Sequence, residues 1–227
     1  MDIIKPGIFG KTFTADEKRM LFDFHNHQLI EQKTEIDYVF IGDSITEYWN
    51  INAYLNDLGF IVNRGVGGDI SEIVLKRFDA DVLQLKPRHV VCLIGCNDLL
   101  STQYDFWWKK KGRDEEEVIT ELLKNIEGII NKCSDLPLFM ASILPSKLCV
   151  PYDAEGFNNN IIRINQEIKR LCEKYGVQYL DYHSAMCAAD GKTILEGITY
   201  DGIHPTPDGY QIMARVLKEK LQAVKNG

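Results

Sequence analysis

The stretch Tyr38-Val39-Phe40-Ile41-Gly42-Asp43-Ser44 decides the fold, because an apolar run ends abruptly in a glycine and two polar residues. Four more short apolar runs follow along the chain, at residues 60–63, 90–94, 138–143 and 177–181. Near-continuous hydrophobicity is typical of strands that are covered on both faces, as in a parallel sheet. The sequence therefore predicts five parallel strands, of which the first is Tyr38–Gly42.

Amphipathic helical patterns separate these strands. Two of them carry apolar stripes at helical spacing: Val118, Leu122, Leu123, Ile126, Ile129 and Ile130, and then Phe157, Ile161, Ile164, Ile168, Leu171 and Tyr175. Strands that alternate with helices predict an α/β fold, arranged as a three-layer α/β/α sandwich with right-handed crossovers. No linker-like segment interrupts the 227 residues, which predicts one domain with an N-terminal helix at about 14–33 and a core at about 38–224.

Polar residues indicate where several helices begin. Thr14, Asp69 and Asp114 are each followed three positions later by a glutamate, as in a capping box. Thr206 precedes Pro207, which predicts an N-cap with proline at the first helical position. A further short helix is predicted at 45–49, directly after Ser44.

Charge and cysteine usage restrict the partners. A formal net charge of −7 argues against nucleic acid or an anionic membrane surface as the main partner, since phosphate binding requires a basic field. The six cysteines form no CxxC pair, so neither a zinc site nor a disulfide framework is predicted. No signal-like or membrane-spanning segment is recognised, which favours the cytoplasm with reduced thiols. A homo-oligomer is left open.

Polar and glycine-rich segments follow the predicted strands. They are Gly42-Asp43-Ser44, Arg64-Gly65-Val66-Gly67-Gly68-Asp69, Gly95-Cys96-Asn97-Asp98 and the segment from Asp181. Ligands in open parallel sheets bind beyond the carboxyl ends of the strands. We therefore expect these segments to meet at one edge of the sheet.

The tetrapeptide Asp201-Gly202-Ile203-His204 supplies a carboxylate and an imidazole three residues apart. His204 is the candidate base for the hydroxyl of Ser44, and Asp201 is the candidate partner that orients the imidazole, which together predict a serine hydrolase. Asp181 is an alternative acid. Taken alone, Ser44 could be an ordinary N-cap and Asp201-Gly202 an ordinary turn.

Acyl transfer also requires donors that face the developing oxyanion. The candidates are the backbone N–H of Ser44, the N–H of a glycine in the second loop and the side-chain amide of Asn97.

The other four histidines, at positions 25, 27, 89 and 183, form no ligand pair and are interpreted as structural or surface residues. Of these, His183 is the one expected near the active edge.

Four blocks together resemble the SGNH subgroup of the GDSL esterase/lipase family: Gly42-Asp43-Ser44, the stretch from Asn63 to Asp69, Gly95-Cys96-Asn97-Asp98 and Asp201-Gly202-Ile203-His204. The resemblance spans roughly residues 38–220 and implies a flavodoxin-like sheet with strand order 2-1-3-4-5, together with ester hydrolysis that needs neither metal nor cofactor. It implies that Ser44 is the nucleophile and an oxyanion donor, with Gly68 and Asn97 as the other donors. It further implies that His204 is the base and Asp201 its partner. Gly65 is the alternative to Gly68.

Within that family the chain looks most like platelet-activating-factor acetylhydrolase subunits and bacterial carbohydrate acetylesterases. This implies a small ester substrate with a short acyl group, acetyl foremost, on a small or carbohydrate alcohol. The alternatives are a lysophospholipase or acyl-thioesterase, a non-catalytic protein that binds acylated sugars, and acyl transfer to a sugar.

Substrate contacts are expected from the loops near these motifs. The candidates are Asp43 beside the nucleophile and the aromatic residues Tyr104, Phe106 and Trp107, which could instead pack under the following helix. The segment 145–160, with Tyr152 and Phe157, is a second candidate rim. Tyr48 and Trp49 are interpreted as core or as the floor of the pocket.

Overall fold

A five-stranded parallel sheet forms the centre of the computed structural model, which describes residues 13–103, 111–148 and 153–226. Its strands are β1 (Tyr38–Gly42), β2 (Ile61–Gly65), β3 (His89–Leu93), β4 (Leu138–Ala141) and β5 (Gln178–Leu180). They pair in the order β2-β1-β3-β4-β5, which confirms the predicted sheet. The strand β1 has its predicted bounds, and the ends of the other four differ from prediction by at most two residues.

Helices connect the strands. In chain order they are α1 (Phe13–Glu31), α2 (Ser44–Glu47), α3 (Ile51–Tyr54), α4 (Ser71–Asp81), α5 (Cys96–Leu100), α6 (Glu115–Lys132), α7 (Ala154–Tyr175), α8 (Tyr182–Met186) and α9 (Pro207–Asn226). The short helix predicted at 45–49 is α2, which ends before Trp49. The helix α1 includes Phe13, so the prediction of Thr14 as its N-cap is wrong.

Both faces of the sheet are covered, which explains why its strands are apolar throughout. Val39 and Ile41 point from β1 into a core shared with α4, α6 and α7. Tyr38 and Phe40 point to the opposite side, into a second core shared with α9. The three-layer prediction is therefore confirmed.

Of the other three predicted helix starts, two are correct and one is wrong. Asp114 caps α6 by accepting a 3.0 Å hydrogen bond from the Glu117 N–H, and Thr206 accepts one of 3.5 Å from the Gly209 N–H at the start of α9. Asp69 does not cap α4, because that helix begins at Ser71 with Ile70 as its N-cap. The Asp69 side chain is instead buried among arginines.

The carboxyl ends of the strands all meet at one edge of the sheet, because every neighbouring pair is parallel. The turns after β1, β2 and β3 lie side by side there, so this edge is where polar groups converge. None of the helices in the described part of the chain combines the length and apolar character that a bilayer crossing requires.

Candidate active site

Ser44 lies where the buried strand β1 turns into the short helix α2. Asp43 is the N-cap of this helix, and its Oδ1 accepts a 2.9 Å hydrogen bond from the Ile45 N–H. Ser44 is therefore the first helical residue, and a backbone N–H at that position has no acceptor within its own helix. The turn presents the Ser44 hydroxyl and its N–H at the same place.

A hydrogen-bonded chain joins Ser44 to the C-terminal loop. Ser44 Oγ lies 2.8 Å from His204 Nε2, and His204 Nδ1 lies 2.6 Å from Asp201 Oδ2. A carboxylate at Nδ1 holds the proton on that nitrogen and leaves Nε2 to accept from the hydroxyl. The three side chains thus have the hydroxyl–imidazole–carboxylate arrangement of a serine-hydrolase relay.

Asp201 is fixed by more than the imidazole. Its Oδ1 accepts hydrogen bonds from the backbone N–H groups of Ile203, at 3.0 Å, and His204, at 2.8 Å. Partial burial acts to raise the pKa of Asp201, but the hydrogen bonds from His204 and Ile203 outweigh it, and the pKa is lowered. The carboxyl group is consequently held in its ionised form.

The loop that carries Asp201 and His204 is anchored at Gly202. This glycine has a φ of +89°, and a Cβ built on it would lie only 2.1 Å from the Lys147 carbonyl oxygen. The Lys147 N–H donates a 2.9 Å hydrogen bond to the Gly202 carbonyl. Glycine is thus needed here both for the left-handed backbone and for the close approach of the segment after β4.

Candidate oxyanion donors line a cavity beside Ser44. Gly68, with a φ of +79°, and Asn97 both border it beside Ser44. Asn97 Nδ2 donates one 3.0 Å hydrogen bond to the Asp69 carbonyl, which orients the amide. The N–H of Gly65, the alternative glycine, is already bonded to Asn63 Oδ1 at 2.8 Å. The geometry therefore favours Gly68 over Gly65.

The cavity has a volume of about 400 Å³ and an uneven lining. Its polar lining residues include Ser44, Asn97 and His204. Its apolar walls include Ala15, Val66, Leu100 and Ile203. Such a cavity can hold a small acyl group next to the hydroxyl while leaving the imidazole side open to a leaving group.

Tyr48 stands beside the imidazole. Its side chain is 61% exposed, and its ring centroid lies 5.3 Å from that of His204. Tyr48 is thus a wall of the cavity, whereas Trp49 is buried and stacks on Tyr210. The position of Tyr48 had one signal in the sequence. This residue lies four residues after Ser44 in a predicted helical turn, and residues i and i+4 share one face of a helix.

Asp43, a predicted substrate contact, borders the cavity but is only 1% exposed. Its Oδ2 has no hydrogen-bond partner within the described residues. Burial raises the pKa of Asp43 to about 7, although the hydrogen bond from Ile45 acts to lower it. A substantial fraction of this carboxyl group is therefore protonated near neutral pH.

A buried charge cluster lies behind the candidate oxyanion loop, residues 66–69 between β2 and α4. Arg77 is fully buried and donates to Asp69 Oδ2 at 2.7 Å, Asp81 Oδ2 at 2.8 Å and the Gly42 carbonyl at 2.9 Å. Arg19 of α1 forms a second ion pair with Asp69. Because Gly42 precedes Asp43-Ser44 and Asp69 follows Gly68, Arg77 ties the nucleophile turn to the oxyanion loop. No sequence signal pointed to Arg77.

Glu47 and Lys18 also border the cavity and were not expected from the sequence. Glu47 is the last residue of α2, and Lys18 belongs to α1. The two form an ion pair at the cavity wall. The N-terminal helix thus contributes directly to the site.

Two other candidates lie away from the relay. Asp181 caps α8 by accepting a 3.0 Å hydrogen bond from the Ser184 N–H, so it is not the partner of His204. His183 is buried, with its N–H bonded to Ser142 Oγ and its ring 3.4 Å from Cys187 Sγ. Burial lowers the pKa of His183. The contacts of Asp181 and His183 therefore stabilise the start of α8 and do not involve Ser44 or His204.

The remaining predicted contacts are divided between undescribed and buried residues. Tyr104, Phe106 and Trp107 lie outside the described residues, as does Tyr152. Phe157 is 1% exposed and belongs to the core under α7, so its prediction as a rim residue is wrong. Within the described ranges, no group of three or more histidine, cysteine, aspartate or glutamate side chains could hold a metal ion.

Comparison with known proteins gives one family. The model of the GDSL-like lipase/acylhydrolase family matches residues 40–212. An acetylxylan esterase of Geobacillus stearothermophilus is 23% identical over 177 residues, which cover 75% of this chain and 76% of that protein.

Solved structures share the fold. The crystal structure of a GDSL-like lipase from Bacteroides thetaiotaomicron has a TM-score of 0.76 and 24% identity, over 90% of this chain and 97% of that one. A catalytic mutant of an acetylxylan esterase from Geobacillus stearothermophilus, with a serine replaced by alanine, has a TM-score of 0.65 and 18% identity. That match covers 82% of this chain and 94% of the esterase. Other catalytic mutants of the same esterase replace a histidine or an aspartate.

Proposed function

The chain belongs to the GDSL-like lipase/acylhydrolase family of carboxylic ester hydrolases, and we propose that it removes short acyl groups, acetyl foremost, from a small or carbohydrate alcohol. The observation that carries this proposal is the hydrogen-bonded chain from Ser44 through His204 to Asp201. This chain of side chains borders a cavity that Gly68 and Asn97 also line. That the candidate nucleophile, base and donors all line one cavity supports the proposal.

The proposed reaction begins with attack of Ser44 Oγ on the ester carbonyl carbon, while His204 Nε2 takes the hydroxyl proton. The N–H groups of Ser44 and Gly68 and the amide of Asn97 stabilise the negative oxygen that forms. His204 then gives its proton to the departing alkoxide. A water molecule, deprotonated by His204, then attacks the acyl-serine carbonyl; the bond to Ser44 Oγ breaks, His204 returns the proton to Oγ, and the carboxylic acid is released.

The leaving alcohol must lie on the imidazole side of the cavity, because His204 protonates it. That side is the one bordered by the exposed ring of Tyr48. An aromatic face there suits the apolar face of a sugar ring. The likeness to an acetylxylan esterase supports the same substrate class.

Replacement of Ser44 by alanine tests the mechanism. We expect the Ser44→Ala protein to lose at least about 10⁴-fold in kcat on p-nitrophenyl acetate, as when the nucleophile of another serine hydrolase is removed. Its melting temperature should stay within a few degrees of the wild type, because the hydroxyl makes one hydrogen bond at the cavity surface. Retention of a tenth of the activity, or a wild-type protein that a fluorophosphonate probe does not label, would contradict the proposal.

The acyl preference is tested by p-nitrophenyl esters of two to twelve carbons, alongside acetylated xylo-oligosaccharides and an acetyl thioester. We expect kcat/KM to be highest for the acetyl ester and the sugar acetates to be hydrolysed. A maximum at eight carbons or more would instead indicate a lysophospholipase, and a preference for the thioester would indicate a thioesterase.

A further inference from the structure

The carboxylate of Glu47 binds the oxyanion loop on one side and the N-terminal helix on the other. Its Oε2 accepts a 2.5 Å hydrogen bond from the Gly67 N–H, and its Oε1 pairs with Lys18 Nζ. Both side chains are partly buried at the wall of the cavity. The pair therefore connects three segments that are distant in sequence.

Gly67 occupies the position between Glu47 and the nucleophile. A Cβ built on Gly67 would lie 3.2 Å from Glu47 Oε2 and 3.7 Å from Ser44 Cβ. The next residue, Gly68, is the proposed oxyanion donor, and its N–H lies in the plane of the Gly67–Gly68 peptide. A hydrogen bond at the Gly67 N–H holds the Val66–Gly67 peptide plane, which ends at the Gly67 Cα from which the Gly67–Gly68 peptide continues.

We propose that Glu47 is a positioning residue, which directs the Gly68 N–H by holding Gly67, and that Lys18 neutralises Glu47 so that the restraint does not oppose the oxyanion. This inference rests on the proposed function, because the oxyanion arises in ester hydrolysis. It adds an acceptor and a cation that the relay itself does not contain.

The electrostatic part follows from the location of the carboxylate. An uncompensated negative charge beside the donors would raise the energy of a transition state in which the carbonyl oxygen becomes negative. Lys18 lies against the same carboxylate, so the pair presents little net charge to the cavity. Glutamine at position 47 would keep an acceptor for Gly67 without the charge.

Four variants separate the acceptor from the charge. Glu47→Ala should lower kcat roughly 10- to 100-fold with KM changed less than about threefold, because a misdirected donor forfeits part of the 100- to 1,000-fold that one donor contributes. Lys18→Met should lower kcat about 3- to 10-fold. Glu47→Gln should retain at least about a third of kcat, and adding Lys18→Met to it should cause no further loss.

The matched control is Lys76→Met on α4, which removes an exposed lysine from its pair with Glu72. It should leave kcat and KM unchanged. If Glu47→Ala keeps kcat within about twofold, or if Lys18→Met costs as much with glutamine at position 47 as with glutamate, the proposal is wrong.

Amide hydrogen exchange measured by NMR tests the positioning without using activity. The Gly67 amide should be protected in the wild type and in Glu47→Gln, and should exchange at least about tenfold faster in Glu47→Ala, because an amide without an acceptor opens freely. Unchanged exchange in Glu47→Ala would overturn the inference even if the enzyme is active. Conversely, a protein without esterase activity would refute the proposed function while the exchange data still decided whether Glu47 holds the loop.

Discussion

The buried and the exposed half of the site use carboxylates in opposite ways. Asp69, next to the proposed oxyanion donor Gly68, is 1% exposed and bonded to Arg19 and Arg77. The side chain of Asp201 is 53% exposed, and its carboxylate pairs with the imidazole of His204. Asp69 thus shapes the site from within, whereas Asp201 remains beside solvent, where an imidazole can exchange protons with substrate and water.

Because of this difference, carboxylates in the two halves should affect different quantities, the free energy of unfolding in one and kcat in the other. Breaking a buried ion pair by removing one partner costs about 3–5 kcal/mol, since it leaves an uncompensated charge. An exposed pair contributes about 0–1 kcal/mol. We therefore expect changes in the buried half to appear mainly in the free energy of unfolding, and changes in the exposed half mainly in kcat.

Between the two halves, the largest effect is expected for Asp201→Asn in the exposed one. The same replacement in a serine protease lowers kcat about 10⁴-fold by favouring the wrong imidazole tautomer. Asparagine keeps an oxygen for the backbone N–H groups of Ile203 and His204, so the free energy of unfolding should change by less than about 1 kcal/mol. Steady-state kinetics and urea denaturation measure the two quantities. Asp181→Asn is the control and should leave kcat unchanged, and the reverse ranking would show that Asp181 is the acid.

Arg77→Met should give the converse result. Methionine fills a similar volume but leaves Asp69 and Asp81 without their shared cation, so we expect unfolding to become easier by about 3–5 kcal/mol. Urea denaturation measures this loss. Arg163→Met, which breaks the exposed pair of Arg163 with Glu116, should cost less than about 1 kcal/mol. Equal losses in the two variants would remove the distinction between the halves.

A smaller effect, dependent on pH, is expected for Asp43→Asn. The pKa of Asp43 is raised to about 7 by burial, so between pH 4 and 7 the folded chain binds more protons than the unfolded one. Wild-type stability contributed by this group is therefore present at low pH and is lost as the pH rises through 7. Relative to the wild type, the variant should gain about 3 kcal/mol between pH 4.5 and 8.

The control for this pH dependence is Asp190→Asn. Hydrogen bonds from Lys192 and Thr193 lower the pKa of Asp190 to about 2, so its carboxyl group is ionised in folded and unfolded chains above pH 4.5. The stability difference from the wild type should then be flat over the same range. Urea denaturation at four pH values measures both variants, and a flat difference for Asp43→Asn would show that Asp43 is ionised throughout.

The fold was predictable because local pattern and tertiary environment agree. The apolar run Tyr38–Gly42 has the bounds of β1, and the stripes of α6 and α7 face the core except at Tyr175, which is 39% exposed at the end of α7. The relay could also be anticipated, since Ser44 ends a strand and Asp201 stands three residues before His204. The proximity of Ser44 and His204 follows from the parallel sheet, although 160 residues separate them.

The supporting residues could not be predicted, because their partners are distant in sequence and their types are ambiguous. Asp69 with Glu72 has the pattern of a helix start, yet the partners of Asp69 are Arg77 and Arg19, 8 and 50 residues away. Glu47 resembles an ordinary polar residue at the end of a short helix. Its contacts with Gly67 and Lys18 depend on the packing of α1 and α2 around the loop.

The position of α1 determines which residues a shortened form of this enzyme must keep. Helix α1 precedes the segment that matches the family, residues 40–212, yet supplies Lys18 and Arg19 to the surroundings of the cavity. A truncation at the edge of the family match would discard part of the cavity lining. A different helix at this position would have to keep Lys18 for Glu47 and Arg19 for Asp69.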